Sequence, residues 1–206
     1  MKIYIPTRGR AYNQETLNWF PKSMQTDGSV VLVVDPDELD QYHNYPDTPK
    51  MVIPEGLKGI GPKRKYIVEN TDDPRIVMLD DDLRFYIRKS DNDWHLRYLE
   101  PDEYPALFGL LDVWLDDYAH VGVSAREGNN RVEKLAVENT RYMRVLGYNL
   151  DMFDGIELGR VQVMEDFDIN LQLLRQGKPS KISYYYAQGQ KSSNAAGGVI
   201  VTGKHI

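Results

Sequence analysis

The sequence predicts an α/β protein with a doubly wound, mostly parallel sheet, joined by antiparallel strands in its C-terminal half. Three observations carry this expectation. Short β-branched runs recur along the chain, helix-compatible stretches separate them, and after Asp82 the rhythm changes to alternating apolar patterns. Continuous Val, Ile and Leu suit strands buried on both faces, and strand alternating with helix is the signature of parallel crossovers.

In chain order, "KIYIPT" (2–7), "VVLVVD" (30–35), "MVIP" (51–54) and "IVMLDD" (76–81) read as strands. Between them, 14–24, 36–45 and 62–70 read as helices, with Pro36 and Pro62 in first-turn positions where a missing N–H is no loss. Residues 102–118 predict an amphipathic helix weakened early by Pro105. "HVGVSA" (120–125) and "MRVLGYNLDMF" (143–153) read as strands, the latter alternating and so antiparallel. Residues 165–179 predict a helix with Ile169, Leu173 and Gln176 on one side and Leu171 and Leu174 close by; Gly177-Lys178-Pro179 stops it. "KISYYYAQ" (181–188) is the last predicted strand, and the glycine-rich tail beyond it reads as a loop.

The 206 residues fit one domain. A net charge of −6 argues against a surface that grips nucleic acid or anionic lipid all over, though a local basic patch remains compatible with it. Zero cysteines exclude disulfides, thiolate zinc sites and cysteine nucleophiles. The opening apolar run stops at Pro6, too short for a signal core, and no window approaches the ~20 apolar residues of a membrane span. The expectation is a soluble, cytoplasmic protein.

The chemistry starts at "IVMLDDDLRF", where a buried strand runs into Asp80, Asp81 and Asp82. Ligands of open parallel sheets sit beyond the carboxyl ends of the strands. Strand periodicity puts Asp80 and Asp82 on one side and Asp81 on the other. Two carboxylates so close repel unless a cation lies between them. Mg²⁺ or Mn²⁺ suits oxygen ligands and keeps part of its shell for substrate phosphates. A solvated acidic turn is the plainer reading. "GLKGIGPKRKYIVEN" (56–70) brings a glycine-rich approach, a helix start and Lys58, Lys63, Arg64 and Lys65, a combination suited to phosphate or to a solubilising helix face. It is not a Walker A loop, since Pro62 stands where the lysine belongs. In "VMEDFD", Glu165, Asp166 and Asp168 open a helix, where they serve either the helix dipole or general-base catalysis. No zinc-binding histidine spacing and no serine nucleophile elbow occur.

Taken together, "YIPTRGR", "VVLVVDPDE", "GIGPKRKYIVEN", "VMLDDDLRF" and "EDFDINLQLLRQGK" resemble the GT-A glycosyltransferases, most closely the family-2-like enzymes, over nearly the whole chain. The resemblance implies a Rossmann-like GT-A domain with a nucleotide-sugar half (1–82) and an acceptor half (83–206). It assigns Pro6, Thr7, Arg8, Arg10 and Asp35 to the nucleotide, with Gly61, Lys63, Arg64 and Asp81 completing the donor-binding set. Asp80 and Asp82 become the DxD that holds Mn²⁺ or Mg²⁺, with His205 a candidate third ligand. Asp166, beside Glu165, becomes the base of an inverting transfer, and Arg175 matches an arginine that follows this pair. A narrower resemblance, carried by "EDFDINLQLLRQGKP" and "QGQKSSNAAGG", is to phage glycosyltransferases associated with TET-type hydroxylases. It implies transfer of a sugar, with UDP-glucose the first expectation, to 5-hydroxymethylcytosine or another hydroxymethylated pyrimidine in bacteriophage DNA. Val199 departs from that pattern, where the resemblance expects cysteine.

A DNA acceptor needs a cationic route, and Arg126, Arg131, Lys134, Arg141 and Arg144, with Asn129, Asn130 and Tyr142, offer one; Lys191 and Lys204 add to it. Tyr184, Tyr185 and Tyr186 offer stacking rings for a base flipped from the duplex. The alternatives are a transferase with a saccharide or protein acceptor and a sugar-phosphate nucleotidyltransferase. A two-metal nuclease and an inactive binding module stand further off.

Overall fold

The structure is a computed structural model that describes residues 1–161 and 164–190. One mixed, ten-stranded sheet runs through it in the order β3-β2-β1-β4-β9-β7-β10-β5-β6, with β8 paired to β10 off that path. The first half alternates strand and helix: β1 (Lys2–Pro6), α1 (Glu15–Asn18), α2 (Lys22–Thr26), β2 (Val30–Val34), β3 (Lys50–Val52), α3 (Ile60–Asn70) and β4 (Arg75–Leu79). The second half contains β5 (Leu83–Arg88), β6 (Leu96–Tyr98), α4 (Tyr104–Trp114), β7 (His120–Ala125), β8 (Ala136–Glu138), β9 (Val145–Asn149), α5 (Glu165–Arg175) and β10 (Ser180–Gln190).

Pairing is parallel across β3, β2, β1 and β4. β9 then inserts antiparallel between β4 and β7, and β10 runs parallel to β7 while pairing antiparallel with β5. One edge therefore gathers the C-terminal ends of β1, β2, β4 and β10 and the N-terminal ends of β9 and β5. Ligands bind at that edge in open α/β sheets.

Alternation divides the core between two faces. Ile3, Ile5, Leu32, Val77 and Leu79 pack with Leu17, Phe20, Leu107, Phe108 and Leu111 beneath α1, α2 and α4. Tyr4, Val31, Val33, Ile76 and Met78 pack with Ile67, Ile169 and Leu173 beneath α3 and α5. Each fully buried aliphatic side chain contributes about 1.5–3 kcal/mol.

Several elements differ from the sequence expectations. The helix expected over 14–24 is two short helices, because Pro21 interrupts it and caps α2. The expected helix after Asp35 is a 3₁₀ segment, Pro36–Asn44, kinked at Tyr42. The early weakening expected from Pro105 does not occur, because α4 begins at Tyr104 and Pro105 sits in its first turn, where a missing N–H is no loss. β5, β6 and β8 were not expected at all. In α5, Ile169 and Leu173 face inward as expected, but Leu171 is exposed and Gln176 lies outside the core.

Candidate active site

At the gathered edge lies a cavity of about 500 Å³. Pro6, Thr7, Arg8 and Arg10 line it from the end of β1, Asp80, Asp81 and Asp82 from the end of β4, and Glu165, Asp166 and Phe167 from the start of α5. Gly59, Ile60, Lys63 and Arg64 enter from α3, Met143 and Arg144 from before β9, and Gln190 from the end of β10.

β4 stops at Leu79, so the three aspartates form a turn and not a strand. The expected division of Asp81 from its neighbours therefore does not hold. Asp81 accepts from Thr7 Oγ1 at 2.6 Å and pairs with Arg10 Nε at 3.2 Å. Asp82 pairs with Arg10 Nη2 at 3.2 Å and accepts from Gln190 Nε2 at 2.9 Å. Thr16 fixes the turn, donating from Oγ1 to the Asp80 carbonyl at 2.6 Å and accepting the Leu83 N–H at 2.8 Å. Gln14 joins by donating to Thr7 Oγ1 at 2.9 Å.

Helix periodicity sorts the cation cluster of α3. Lys63 and Arg64 turn inward and are buried, while Lys65 pairs with Glu69 outside at 3.7 Å. Lys63 Nζ pairs with Asp35 and donates to the Thr7 carbonyl at 3.0 Å. Arg64 bridges Asp80 at 2.7 Å and Glu165 at 2.5 Å, tying β4 to α5. Gly61, expected to touch the donor, does not line the cavity; a Cβ there would meet Glu165 Cγ at 3.7 Å, an ordinary packing distance. Asp35 lines the adjoining hollow of about 310 Å³, which shares Arg8 with the main cavity. Arg8 Nη1 pairs with Asp35 at 2.7 Å there.

The electrostatics follow from burial beside like charge. Burial, reinforced by Asp82 and Asp81, pushes the Asp80 carboxyl up to about 6 against the opposing pull of Arg64. Burial also raises Asp81 and Asp166; Arg64 counters it at Asp166, and Glu165 adds to it. Asp168 does not join the cavity: its carboxylate takes a two-pronged bond from Arg160 at 2.8 and 2.6 Å. The described residues contain no group of three or more side chains ready to hold a metal ion. Asp80 and Asp82 still fit a hard cation, because their mutual repulsion is what such an ion relieves and Mg²⁺ completes its shell with phosphate and water. His205, Lys191 and Lys204 lie outside the described residues.

The expected acceptor patch is only partly a surface. Asn129 is buried and bonded to Arg88, and Tyr142 is buried in a 4.0 Å stack on His120, so neither is available to DNA. Tyr186 is buried too, with Tyr184 and Tyr185 only partly exposed. Arg126 remains exposed and lies 5.1 Å over Tyr86, and Arg141 lies 4.6 Å over Phe167 at the cavity rim. Arg144 belongs to the cavity itself. Sequence reasoning missed Gln190, Met164, Gly59, Ile60, Met143 and Phe167 as lining residues. No motif marked Gln190; the polar "AQGQ" ending of a strand was the available signal.

Solved structures with the same fold include three that hold a nucleotide or a nucleotide sugar. Glucosyl-3-phosphoglycerate synthase from Mycobacterium tuberculosis, with Mn²⁺, UDP and phosphoglyceric acid, superposes with TM-score 0.59 at 12% identity, over 93% of this chain and 70% of that one. S. aureus TarS with UDP-GlcNAc gives TM-score 0.54 at 14% identity, over 95% and 61%. A mannosyltransferase from Pyrobaculum calidifontis, with GDP-Man and Mn²⁺, gives 0.55 at 13%, over 87% and 53%. The chain thus spans about three fifths of TarS and half of the mannosyltransferase. No curated protein matches the chain. Those likenesses show the fold, that of the GT-A class. The sequence model of the TET-associated glycosyltransferases matches residues 1–198, and the chain belongs to that family.

Proposed function

We propose that this glycosyltransferase moves a sugar from a nucleotide sugar, UDP-glucose first, to the hydroxyl of a 5-hydroxymethylpyrimidine in phage DNA, in the host cytoplasm. The observation that carries the reading is the convergence of Asp80–Asp82, Arg64 and Glu165–Asp166 on one cavity at the sheet edge. Membership of a TET-associated family supports the DNA acceptor. Neighbours crystallised with UDP, UDP-GlcNAc and GDP-Man support the donor class.

The nucleoside lies in the hollow lined by Arg8 and Asp35, with residues 1–82 supplying most of the donor site and residues 83–206 the acceptor half. Asp80 and Asp82 would hold Mn²⁺ or Mg²⁺, which would supply positive charge to the diphosphate. Arg10 and Gln190 fix the orientation of Asp82, and Arg64 fixes Asp80. Asp166 takes the acceptor proton as its oxygen attacks the anomeric carbon, giving inversion. Burial beside Glu165 strengthens Asp166 as a base. Glu165 is committed to Arg64 and positions the start of α5.

The test is mass spectrometry of nucleosides from hydroxymethylcytosine DNA after incubation with enzyme, Mn²⁺ and mixed nucleotide sugars. A hexose added to the modified base is the expected result. Labelling of a saccharide or protein instead overturns the acceptor, and transfer of a nucleotide with pyrophosphate release overturns the reaction.

A further inference from the structure

The cations around the cavity are not equivalent. Arg8 is held by Asp35 and Asp37, Arg10 by Asp81 and Asp82, Lys63 by Asp35, and Arg64 by Asp80 and Glu165. Arg144 lines the same cavity, yet among the described residues it has no carboxylate within ion-pair distance. Its side chain makes one long contact, from Nη1 to Gln188 Oε1 at 3.5 Å. An incoming diphosphate adds negative charge to a cavity already lined by Asp80, Asp81, Asp82, Glu165 and Asp166. Cations already matched to carboxylates do little to offset it.

The backbone of Arg144 is as unusual as its charge. Its φ is 67°, in the left-handed region that favours glycine. The Val145 N–H donates to the Met143 carbonyl at 2.7 Å across it, closing the strained form of a γ-turn. The Arg144 carbonyl in turn accepts the Asp80 N–H at 3.1 Å, which locks this turn to the aspartate turn. Strain of this kind persists where the surroundings over-determine it, often at ligand clamps. Arg144 also lies near enough to Asp80 to favour its ionised form.

We propose that Arg144 is a diphosphate-binding residue whose guanidinium takes the terminal phosphate of the leaving nucleotide. This rests on the nucleotide-sugar reading of the cavity. As the bond from the anomeric carbon to the phosphate oxygen breaks, its electron pair stays on that oxygen. Arg144 carries the charge collecting there, while the acceptor oxygen bonds to the anomeric carbon and its proton passes to Asp166. A planar fork of donors matches phosphate in a way a lysine does not. The γ-turn aims the fork, and Gln188 steadies it from β10.

The test is calorimetry of UDP and GDP against UMP and GMP, with and without Mn²⁺, on the wild type and on Arg144→Gly and Arg144→Lys. Glycine removes the guanidinium and suits the left-handed backbone, so the thermal midpoint of that variant should hold or rise. Whichever diphosphate the wild type binds should then bind Arg144→Gly about 10- to 100-fold more weakly, with the monophosphate changed less than about twofold. Lysine should restore part of the loss. Equal diphosphate affinity in Arg144→Gly, or equal losses for both nucleotides, would overturn the assignment and leave the donor site standing. If neither diphosphate binds the wild type, the nucleotide-sugar reading falls and this proposal falls with it.

Discussion

Arg64 is one side chain serving two carboxylates that arrive from different elements, Asp80 after β4 and Glu165 in α5. Both Arg64 and Glu165 are buried, so Arg64→Met should cost about 3–5 kcal/mol, read as a fall in the urea midpoint, because Glu165 keeps its charge without a partner. A loss below about 1 kcal/mol would mean the pair is solvated. Asp80→Asn should leave the fold intact and cut nucleotide release about 10²–10³-fold, the scale of one preorganised electrostatic contact to a transition state. Asp166→Asn should lower transfer to the acceptor about 10²–10⁴-fold with donor affinity unchanged. His120 does not line the cavity: it is fully buried, stacked on Tyr142 and near Tyr148, and burial pushes it down to about 3. Unfolded, it titrates near 6.5. Above that pH neither state binds the proton and nothing is lost. As pH falls from about 6.5 towards 3 only the unfolded chain binds it, so stability drops by up to about 1.4 kcal/mol per unit. His120→Phe should flatten the acid limb of a stability–pH curve, and an unchanged slope would assign that limb to carboxylates.

Among the elements, β7 and β9 approach each other more closely than side chains permit. A Cβ at Gly122 would lie 2.6 Å from the Val145 carbonyl oxygen, and one at Gly147 would lie 2.6 Å from Val121 Cγ2. Gly122→Ala meets backbone and Gly147→Ala a side chain already packed in the core, so each should cost about 1–3 kcal/mol, with Gly122→Ala the worse. Thermal unfolding of the two variants checks the order. The same pair of strands shows what single-sequence periodicity reads well. β1, β2, β4, β7 and β9 are apolar runs bounded by turn signals, and each was legible. β5 was not, since Leu83–Arg88 interleaves Arg84 and Arg88 with its apolar residues and follows three aspartates. Arg84 finds its place only against Trp19, 3.2 Å away, and Tyr98, 3.9 Å away. β6 and β8 are three-residue strands whose identity comes from their partners β5 and β10, not from their own composition.

At the scale of the whole molecule, a net charge of −6 coexists with cations concentrated where the chain needs them. A DNA acceptor would meet few phosphates on such a protein, with exposed Arg126, Arg131 and Arg141 the leading contacts. About three phosphate contacts predict that the KM for DNA rises roughly 40-fold between 50 and 200 mM salt. A flat response would point to an uncharged acceptor. The amino-acid sequence singled out most of the charged residues that line the cavity, because carboxylates at strand ends and glycine-flanked cations are local patterns. It also determined the alternation that makes the sheet, because burial on two faces repeats along the chain itself. Only the tertiary structure decided which cations are already matched to carboxylates. It moved Arg144 from a supposed acceptor patch into the cavity at the sheet edge, brought Gln190 to Asp82, and withdrew Tyr142 and Asn129 into the core. Those assignments depend on strand order and on distances between residues far apart in the chain, such as Arg64 and Glu165, and no local spacing encodes them.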